Sequence, residues 1–227
     1  KFKPTIYKVA SFEITDLNLI REIAKKRKPV ILSTGMAKLS EISNAVKEIE
    51  KIHKKIIILH CVSGYPTPES EANINKINLL KVKFPNKILG ISDHTNDINS
   101  SLAAVAMGAK VIEKHFKISN KIKSPDSKFS INPVQLKELK IRSESIFASI
   151  GKQTTKIKDS EKHSYIFRRS IFARRNLKKN IKITNLDIIT KRPLIGISAD
   201  QYYKILGKKT KIDINKDSPI FKKYIKF

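Results

Sequence analysis

Five short apolar runs, each followed by an amphipathic stretch long enough for one helix, organise the first 145 or so residues. The runs are rich in β-branched residues and read IYKVASFE, PVILSTGM, IIILHCVSGYP, ILGISDHT and KVIEKHF. Runs of this kind are typical of strands, and the apolar spacing between them is typical of helices. We expect Asp16 or Thr15 to cap the first helix, and Ser40 with Glu41 to cap the second. This order predicts a parallel sheet with right-handed helical crossovers.

Small polar or ionisable residues follow each predicted strand. They are Ser11, Ser33 to Gly35, Ser63 to Tyr65, Ser92 to Thr95, and Glu113 to His115. Closed (β/α)8 barrels and open doubly wound sheets both place their sites at this edge, so the pattern fits either. No GxGxxG or GxxxxGK[ST] sequence is present, which disfavours a dinucleotide or P-loop site. Because five units cannot close an eight-stranded barrel, the sheet is open or three units precede it.

After the fifth unit the alternation of strands and helices ends, and a polar stretch is followed by short predicted strands and turns. We assign residues 1–150 to the β-α units, 151–164 to a polar linker, and 165–227 to a small, mostly β module. A module of this size is marginally stable alone and is expected to dock on a partner surface.

The chain is strongly basic, with 47 Lys and Arg against 20 Asp and Glu, a net charge of +27. Such a field attracts phosphates, on a small substrate or on nucleic acid. Arg accounts for only 8 of the 47 basic residues and Trp is absent. The sequence is therefore poor in the guanidinium and aromatic groups with which proteins commonly recognise nucleic acids. We therefore expect the excess lysines to cover solvated faces, and keep nucleic-acid binding as a weak alternative.

The single cysteine, Cys61, excludes a disulfide framework and fits a reducing compartment, so we expect a cytoplasmic protein. The longest apolar runs, such as residues 56–59, are far shorter than the ~20 residues of a membrane span. The first ten residues, KFKPTIYKVA, have neither an initiator Met nor a signal-peptide core, which suggests that they come from the middle of a longer chain.

Several strand-end stretches together resemble the sialic acid synthase family, which includes N-acetylneuraminate, legionaminate and pseudaminate synthases. The matching stretches are YKVASFE (7–13), KPVILSTGMA (28–37), LHCVSGYPTPESEAN (59–73), LGISDHT (89–95), AKVIEKHF (109–116) and SPDSKFSINP (124–133). The later stretches RRSIFARRNLKKNIKI, KRPLIGI and LGKKTKIDINKDSPI resemble the family's antifreeze-like, or SAF, domain. The resemblance spans nearly all 227 residues in family order.

The resemblance implies a (β/α)8 TIM-barrel fold, of which this chain holds about the last five units, followed by a small, mostly β SAF domain. Aligned in this way, the chain begins at the fourth strand. In the family the first three strands supply a glutamate, a lysine and a threonine to the active site.

The resemblance also implies a metal site at His94 and His115, at the ends of adjacent strands. Mn²⁺ is the expected ion, with Mg²⁺ or Co²⁺ as alternatives. Glu113 and Asp126 would orient the metal shell or bind substrate hydroxyls. From the residues alone, hydrogen-bonded structural histidines and exposed carboxylates are the competing interpretation.

A phosphoenolpyruvate site is implied next to the metal. Its expected residues are Lys8, Ser11, Ser33, Ser63 and Ser92. One fixed positive charge and several hydroxyl donors suit an enol phosphate that carries a carboxylate. Some family members have Asn where this chain has Ser63, and each serine alone would more simply be a turn or helix-cap residue. Tyr65 resembles an active-site tyrosine of the family, with a packed core role as the alternative.

Arg192 resembles an SAF-domain arginine that reaches the sugar in the neighbouring subunit, which implies a domain-exchanged homodimer. The implied activity condenses phosphoenolpyruvate with an N-acetylated hexosamine to a nine-carbon 2-keto sugar acid for carbohydrate biosynthesis. N-acetylmannosamine and bacillosamine-derived sugars are both open as acceptors, with a slight lean to the pseudaminate type. The alternative is a non-catalytic remnant that keeps the half-site and the SAF module.

Overall fold

A computed structural model describes residues 3–226, and its contacts divide the chain into two compact units, Lys1–Lys152 and Gln153–Phe227. The two are described separately below.

The first unit contains five strands, each followed by a helix. The strands are β1 (Tyr7–Val9), β2 (Val30–Ser33), β3 (Ile56–Cys61), β4 (Ile88–Asp93) and β5 (Val111–Lys114). The helices are α1 (Leu17–Lys25), α2 (Leu39–Glu50), α3 (Lys76–Lys83), α4 (Asn99–Ala106) and α5 (Pro133–Ile150). Every predicted run forms a strand, and in β1 to β4 it contributes buried apolar residues to the core between the sheet and the helices, whereas Val111 and Ile112 of β5 are half-buried.

The five strands form one parallel sheet in chain order, β1-β2-β3-β4-β5. The main core includes Ile20 of α1, Ile42 of α2, Ile77 of α3, and Leu32 and Ile58 of the sheet, all fully buried. The parallel crossovers bring the carboxyl ends of all five strands to one edge. That edge carries the predicted site residues that follow the five strands.

The two predicted helix caps have different outcomes. Asp16 caps α1, since its carboxylate accepts a hydrogen bond of 3.0 Å from the Leu19 amide. The prediction for α2 is wrong at Ser40, which lies inside the first turn, because the chain enters the helix at Lys38. Glu41 does contribute, because its carboxylate accepts from the Lys38 amide at 2.7 Å.

The sheet is curved into part of a barrel. Lys8 on β1 and Glu113 on β5 form an ion pair, although they lie on the first and the last strand. In a flat sheet four strand spacings would hold these strands roughly 19 Å apart, with side chains perpendicular to the sheet. The predicted TIM-barrel type is therefore confirmed, and the open flat sheet is not adopted.

The second unit is mostly β, as predicted. Strand β6 (Ser170–Ala173) pairs antiparallel with β7 (Ile188–Lys191), and β8 (Lys209–Thr210) with β9 (Ile225–Lys226). A short helix, α6 (Tyr202–Ile205), lies between β7 and β8 in sequence. Buried isoleucines dominate the core. A 3-10 helix over Asp159–Phe167 occupies the end of the predicted linker and the start of the predicted module.

Within residues 3–226, none of the helices has the length and apolar character needed to cross a membrane.

Candidate active site

Two histidines face each other at the carboxyl edge of the sheet. His94 directly follows β4 and His115 directly follows β5, and the strand register pairs Asp93 with Lys114 just before them. Their ring centres lie 5.4 Å apart. The Tyr65 ring lies 4.2 Å from that of His94 and 6.0 Å from that of His115. The structure therefore brings together three of the predicted site residues.

A backbone carbonyl fixes the tautomer of His94. Its Nδ1 lies 2.8 Å from the Val62 carbonyl oxygen, which can only accept, so Nδ1 carries the proton. The Nε2 atom then keeps its lone pair. Burial lowers the pKa of His94, but hydrogen bonds to Cys61 and to the Val62 carbonyl outweigh it and hold the pKa above its ordinary value.

Asp126 has the corresponding place beside His115. Its Oδ2 atom lies 3.4 Å from Nδ1 of His115, and a carboxylate at this atom favours the tautomer that leaves Nε2 unprotonated. Burial and the neighbouring His94 lower the pKa of His115, against the opposing charges of Asp126 and Glu113. His115 is therefore favoured as a neutral imidazole.

Lys8 and Glu113 form the charged part of the site. The ammonium of Lys8 lies 3.0 Å from Oε1 and 3.0 Å from Oε2 of Glu113, and both side chains are partly exposed. Glu113 also lines a cavity of about 160 Å³ together with Ser92, His94, Lys114 and His115. The predicted phosphate-binding lysine thus reaches the carboxylate at the predicted metal site.

The predicted serines gather around the ends of β1, β2 and β3. Ser11 is buried and its hydroxyl accepts a 3.0 Å hydrogen bond from the Gly35 amide, which leaves its own proton available. The hydroxyl of Ser33 is buried without a partner. Ser63 lies 3.9 Å from the Cys61 sulfur. These serines can offer hydroxyl donors to an anion.

Gly35 is a site residue that the sequence analysis did not single out. A Cβ atom at this position would lie 2.1 Å from the Ser63 hydroxyl and 2.9 Å from that of Ser11. Both distances are far below van der Waals contact, so the two serines can converge only around a glycine. The signal in the sequence was the glycine directly after Ser33-Thr34 at a strand end.

Asp93 and Lys114 lie within the polar strand-end stretches of the sequence, but the sequence analysis assigned them no role. They form an ion pair with a separation of 3.0 Å whose side chains are 1% and 2% exposed. Each precedes one of the predicted metal ligands by one residue, which is the signal that could have pointed to them.

Arg192 lies in the second unit, directly after β7, with an exposed side chain and a cis peptide bond to Pro193. Its contact with a sugar in a neighbouring subunit stays a prediction.

The donor set fits the metal that the resemblance implies. Among residues 3–226 no group of three or more His, Cys, Asp or Glu side chains is arranged to hold a metal ion. The two imidazoles nevertheless offer Nε2 atoms whose Nδ1 sides are oriented by Val62 and Asp126. Such a pair suits a divalent cation that completes its shell with water and substrate oxygens.

Comparison with known proteins decides the family. Residues 1–155 match the NeuB family and residues 168–225 match the SAF domain. The chain belongs to the NeuB family. This confirms the family suspected from the strand-end stretches.

Curated relatives of this NeuB-family chain include two synthases of Campylobacter jejuni. It is 42% identical to an N,N'-diacetyllegionaminic acid synthase, over 89% of this chain and 62% of the relative. It is 37% identical to a pseudaminic acid synthase, over 94% of this chain and 62% of the relative. The chain thus spans a little less than two thirds of the length of these relatives.

Solved structures agree with the fold. The N-acetylneuraminic acid (sialic acid) synthetase of Leptospira borgpetersenii, in complex with citrate, has a TM-score of 0.68 at 37% identity, over 70% of this chain and 56% of that one. A spore coat polysaccharide biosynthesis protein of Bacillus subtilis has a TM-score of 0.62 at 29% identity, over 99% of this chain and 68% of that one.

Proposed function

We propose that the protein condenses phosphoenolpyruvate with an N-acetylated hexosamine to give a nine-carbon 2-keto sugar acid and phosphate. The pair of facing imidazoles, His94 and His115, carries this proposal, because both Nδ1 atoms are turned to protein oxygens and both Nε2 atoms are left to bind. The names of the relatives support a nonulosonic acid synthase in general terms.

The two histidines would hold the divalent cation, Mn²⁺ in our proposal, through their Nε2 atoms. When bound there, the ion supplies a Lewis acid for the aldehyde carbonyl of the open-chain sugar. Both histidines must be neutral imidazoles to bind the ion: burial favours the neutral form of His115, whereas the raised pKa of His94 means that a proton competes with the metal for its Nε2 atom.

Lys8 and the serine hydroxyls hold phosphoenolpyruvate. The ammonium of Lys8 binds one anionic group of the substrate in place of the Glu113 carboxylate, its partner in this structure. Ser11, Ser33, Ser63 and Ser92 donate hydroxyl protons to the remaining oxygens. The partnerless hydroxyl of Ser33 supports this role, because a buried polar atom is stabilised by a bound acceptor.

Glu113, Asp126 and Tyr65 orient the acceptor and the histidines. Asp126 holds the ring of His115, and Glu113, once released from Lys8, can accept hydrogen bonds from sugar hydroxyls. Burial raises the pKa of Tyr65, so its phenol stays protonated and can donate a hydrogen bond to the sugar.

The bonds balance without a covalent enzyme intermediate. The C3 carbon of phosphoenolpyruvate attacks the aldehyde carbon and forms the new C–C bond, while the aldehyde oxygen takes up a proton. Water adds at C2 and loses one proton, which balances the proton taken up by the aldehyde oxygen. The C2–O bond then breaks so that phosphate leaves, and the remaining hydroxyl at C2 loses its proton as the C2=O bond forms. The product keeps a keto group at C2.

The acceptor belongs to the N-acetylated amino sugars, with N-acetylmannosamine and bacillosamine-derived sugars as the two candidates. The relatives named as legionaminic and pseudaminic acid synthases are 42% and 37% identical to this chain, so sequence identity does not select one acceptor. An assay with both sugars identifies it. We further propose a domain-exchanged homodimer in which Arg192 serves the sugar site of the neighbouring subunit.

Phosphate release tests the proposal. We expect release only when phosphoenolpyruvate, an acceptor sugar and Mn²⁺ are all present, and loss of release in His94→Ala and His115→Ala at unchanged circular dichroism. His163→Ala is the matched control, because His163 is an exposed histidine in the second unit. Release that does not need the amino sugar, or that survives His94→Ala, would contradict the proposal.

A further inference from the structure

We propose that the buried pair of Asp93 and Lys114 is a positioning device that sets the separation of His94 and His115. The inference rests on the proposed function, because it concerns the geometry with which the two histidines hold their cation. Neither residue is proposed to touch substrate.

Asp93 is the centre of a fully buried network. Its Oδ1 atom accepts hydrogen bonds from the Thr95 amide at 2.9 Å and from the Thr95 hydroxyl at 2.8 Å. Its Oδ2 atom accepts one from the Ser101 hydroxyl on α4 and lies 3.0 Å from the Lys114 ammonium. The carboxylate of Asp93, the residue before His94, therefore holds Thr95, the residue after it.

Lys114 connects this network to the next strand. Its ammonium also donates to the Thr95 carbonyl at 2.8 Å, so it contacts the residues on both sides of His94. Because Lys114 directly precedes His115, these contacts tie the segment 93–95 to the backbone that carries the second histidine.

The direction of the side chains separates the pair from the histidines. Successive side chains on a strand point to opposite faces, and although Lys114 also lines the cavity beside the two histidines, its ammonium is directed to Asp93 and to the Thr95 carbonyl. The exposures agree with this: the Lys114 side chain is 2% exposed and that of His115 is 34% exposed. Burying this charge pair costs desolvation free energy. The pair remains stable only when its two charges stay in contact, so it permits few alternative arrangements of the two strand ends.

The consequence is a dependence of metal affinity on residues that do not bind the metal. Outer partners of metal ligands typically change metal affinity by about 10- to 100-fold when they are mutated. Removing one partner alone would leave a buried, unpaired charge and unfold the site, so the test uses a neutral double variant, Asp93→Asn with Lys114→Gln. Thr95→Val is a milder second variant that removes the contacts of the Thr95 hydroxyl with the Asp93 carboxylate and with the Asp97 carbonyl.

The experiment titrates Mn²⁺ into the purified protein and follows free and bound ion by electron paramagnetic resonance. We compare the wild type, the double variant, Thr95→Val and His94→Ala, after circular dichroism has shown that each variant has the same secondary structure as the wild type. We expect the double variant to bind Mn²⁺ about 10- to 100-fold more weakly, with an altered spectrum of the bound ion, and Thr95→Val to show a smaller loss.

Glu48→Gln is the matched control, because it changes another buried carboxylate in the same unit, Glu48 of α2, whose partner is the half-exposed Arg21 of α1. We expect it to lower thermal stability and to leave the Mn²⁺ affinity at the wild-type value. A merely structural role of Asp93 and Lys114 would make the double variant behave like this control.

The outcomes separate the inference from the function on which it rests. A folded double variant with wild-type affinity and spectrum would overturn the positioning role and leave the metal site intact. If the double variant does not fold, Thr95→Val decides by the same criterion. A wild type that does not bind Mn²⁺, or a His94→Ala variant that binds it as well, would overturn the metal site and the inference together.

Discussion

Lys8 on β1 and Glu113 on β5 form an ion pair across the curved sheet, with the ammonium 3.0 Å from both carboxylate oxygens although 105 residues separate them. The contact joins side chains on the first and last strands, and it is possible only because the sheet is curved. The same curvature makes the site at the strand ends concave. It also gives Lys8 an anionic partner of the kind that a phosphate or carboxylate substrate would replace.

Lys8→Met removes this cation, and we expect the KM for phosphoenolpyruvate to rise about 10- to 100-fold. The physical reason is the loss of one charge-assisted hydrogen bond of about 1.5–3 kcal/mol. The fold should change little, because exposed ion pairs contribute at most about 1 kcal/mol. Steady-state kinetics with phosphoenolpyruvate as the varied substrate measures the effect.

Lys137→Met, at an exposed lysine on α5, is the control for Lys8→Met and should keep the wild-type KM. Equal KM values in the two variants would mean that Lys8 does not bind the substrate anion.

Gly35→Ala should disturb the serine cluster. The new methyl group would lie 2.1 Å from the Ser63 hydroxyl, so Ser63 or the loop must move. A displacement of about 1 Å in a positioning group can cost up to ~10²-fold in rate, and we expect kcat/KM for phosphoenolpyruvate to fall about 10- to 100-fold. The measurement is kcat/KM with the acceptor saturating.

Gly64→Ala is the comparison for Gly35→Ala, because a Cβ atom there comes no closer than 3.3 Å to its nearest neighbour, the Thr67 hydroxyl. Its kcat/KM should stay near the wild type. A Gly35→Ala variant as active as Gly64→Ala would speak against the serine cluster as an anion site.

Much of this architecture could be predicted from the sequence because it depends on local patterns. The β-branched runs formed strands, and the polar residues after them lie at one edge since parallel strands share their direction. The pairing of Lys8 with Glu113 could not be predicted in the same way. It depends on sheet curvature, and the repeat pattern fitted an open sheet as well as a barrel.

The parts that were missed depend on packing in three dimensions. Gly35 matters because Ser11 and Ser63, from the segments that follow β1 and β3, converge on it, and Asp93 matters because its partner Lys114 lies on the neighbouring strand. Neither relationship is present in a linear spacing. The error at Ser40 is of another kind: the N-cap of α2 is Lys38, two residues earlier than predicted, so Ser40 lies inside the first turn.

Glu48 predicts a pH-dependent contribution to stability. Hydrogen bonds from Arg21 and Lys51 lower the pKa of Glu48 from 4.5 to about 2. Below its ordinary pKa the unfolded state takes up a proton that the folded state still refuses, so this contribution is present above pH 4.5 and decreases as the pH falls towards 2.

Urea unfolding of the wild type and of Glu48→Gln checks this sign. We expect the wild type to be the more stable protein at pH 7 and the difference in free energy of unfolding to shrink at pH 3. A difference of the same size at both pH values would show that the Glu48 carboxylate does not hold its charge through Arg21 and Lys51.

Arg192 tests the proposed exchange of domains between subunits. We expect Arg192→Ala and His94→Ala to be inactive alone and to regain activity when the two proteins are unfolded together and refolded as mixed dimers. A mixed dimer would then combine one intact set of strand-end residues with one intact Arg192. Activity of the Arg192→Ala protein alone, or no recovery in proven mixed dimers, would contradict the exchange.

The most direct measurement of the central claim follows the oxygen between C2 and phosphorus of phosphoenolpyruvate. The protein is incubated with Mn²⁺, the acceptor sugar and phosphoenolpyruvate labelled with ¹⁸O at that bridging position. Mass spectrometry then measures the masses of the phosphate and of the sugar acid. The account predicts that the label leaves with phosphate and that an unlabelled nine-carbon 2-keto acid forms. Label retained in the sugar acid, or release of phosphate without that product, would contradict it.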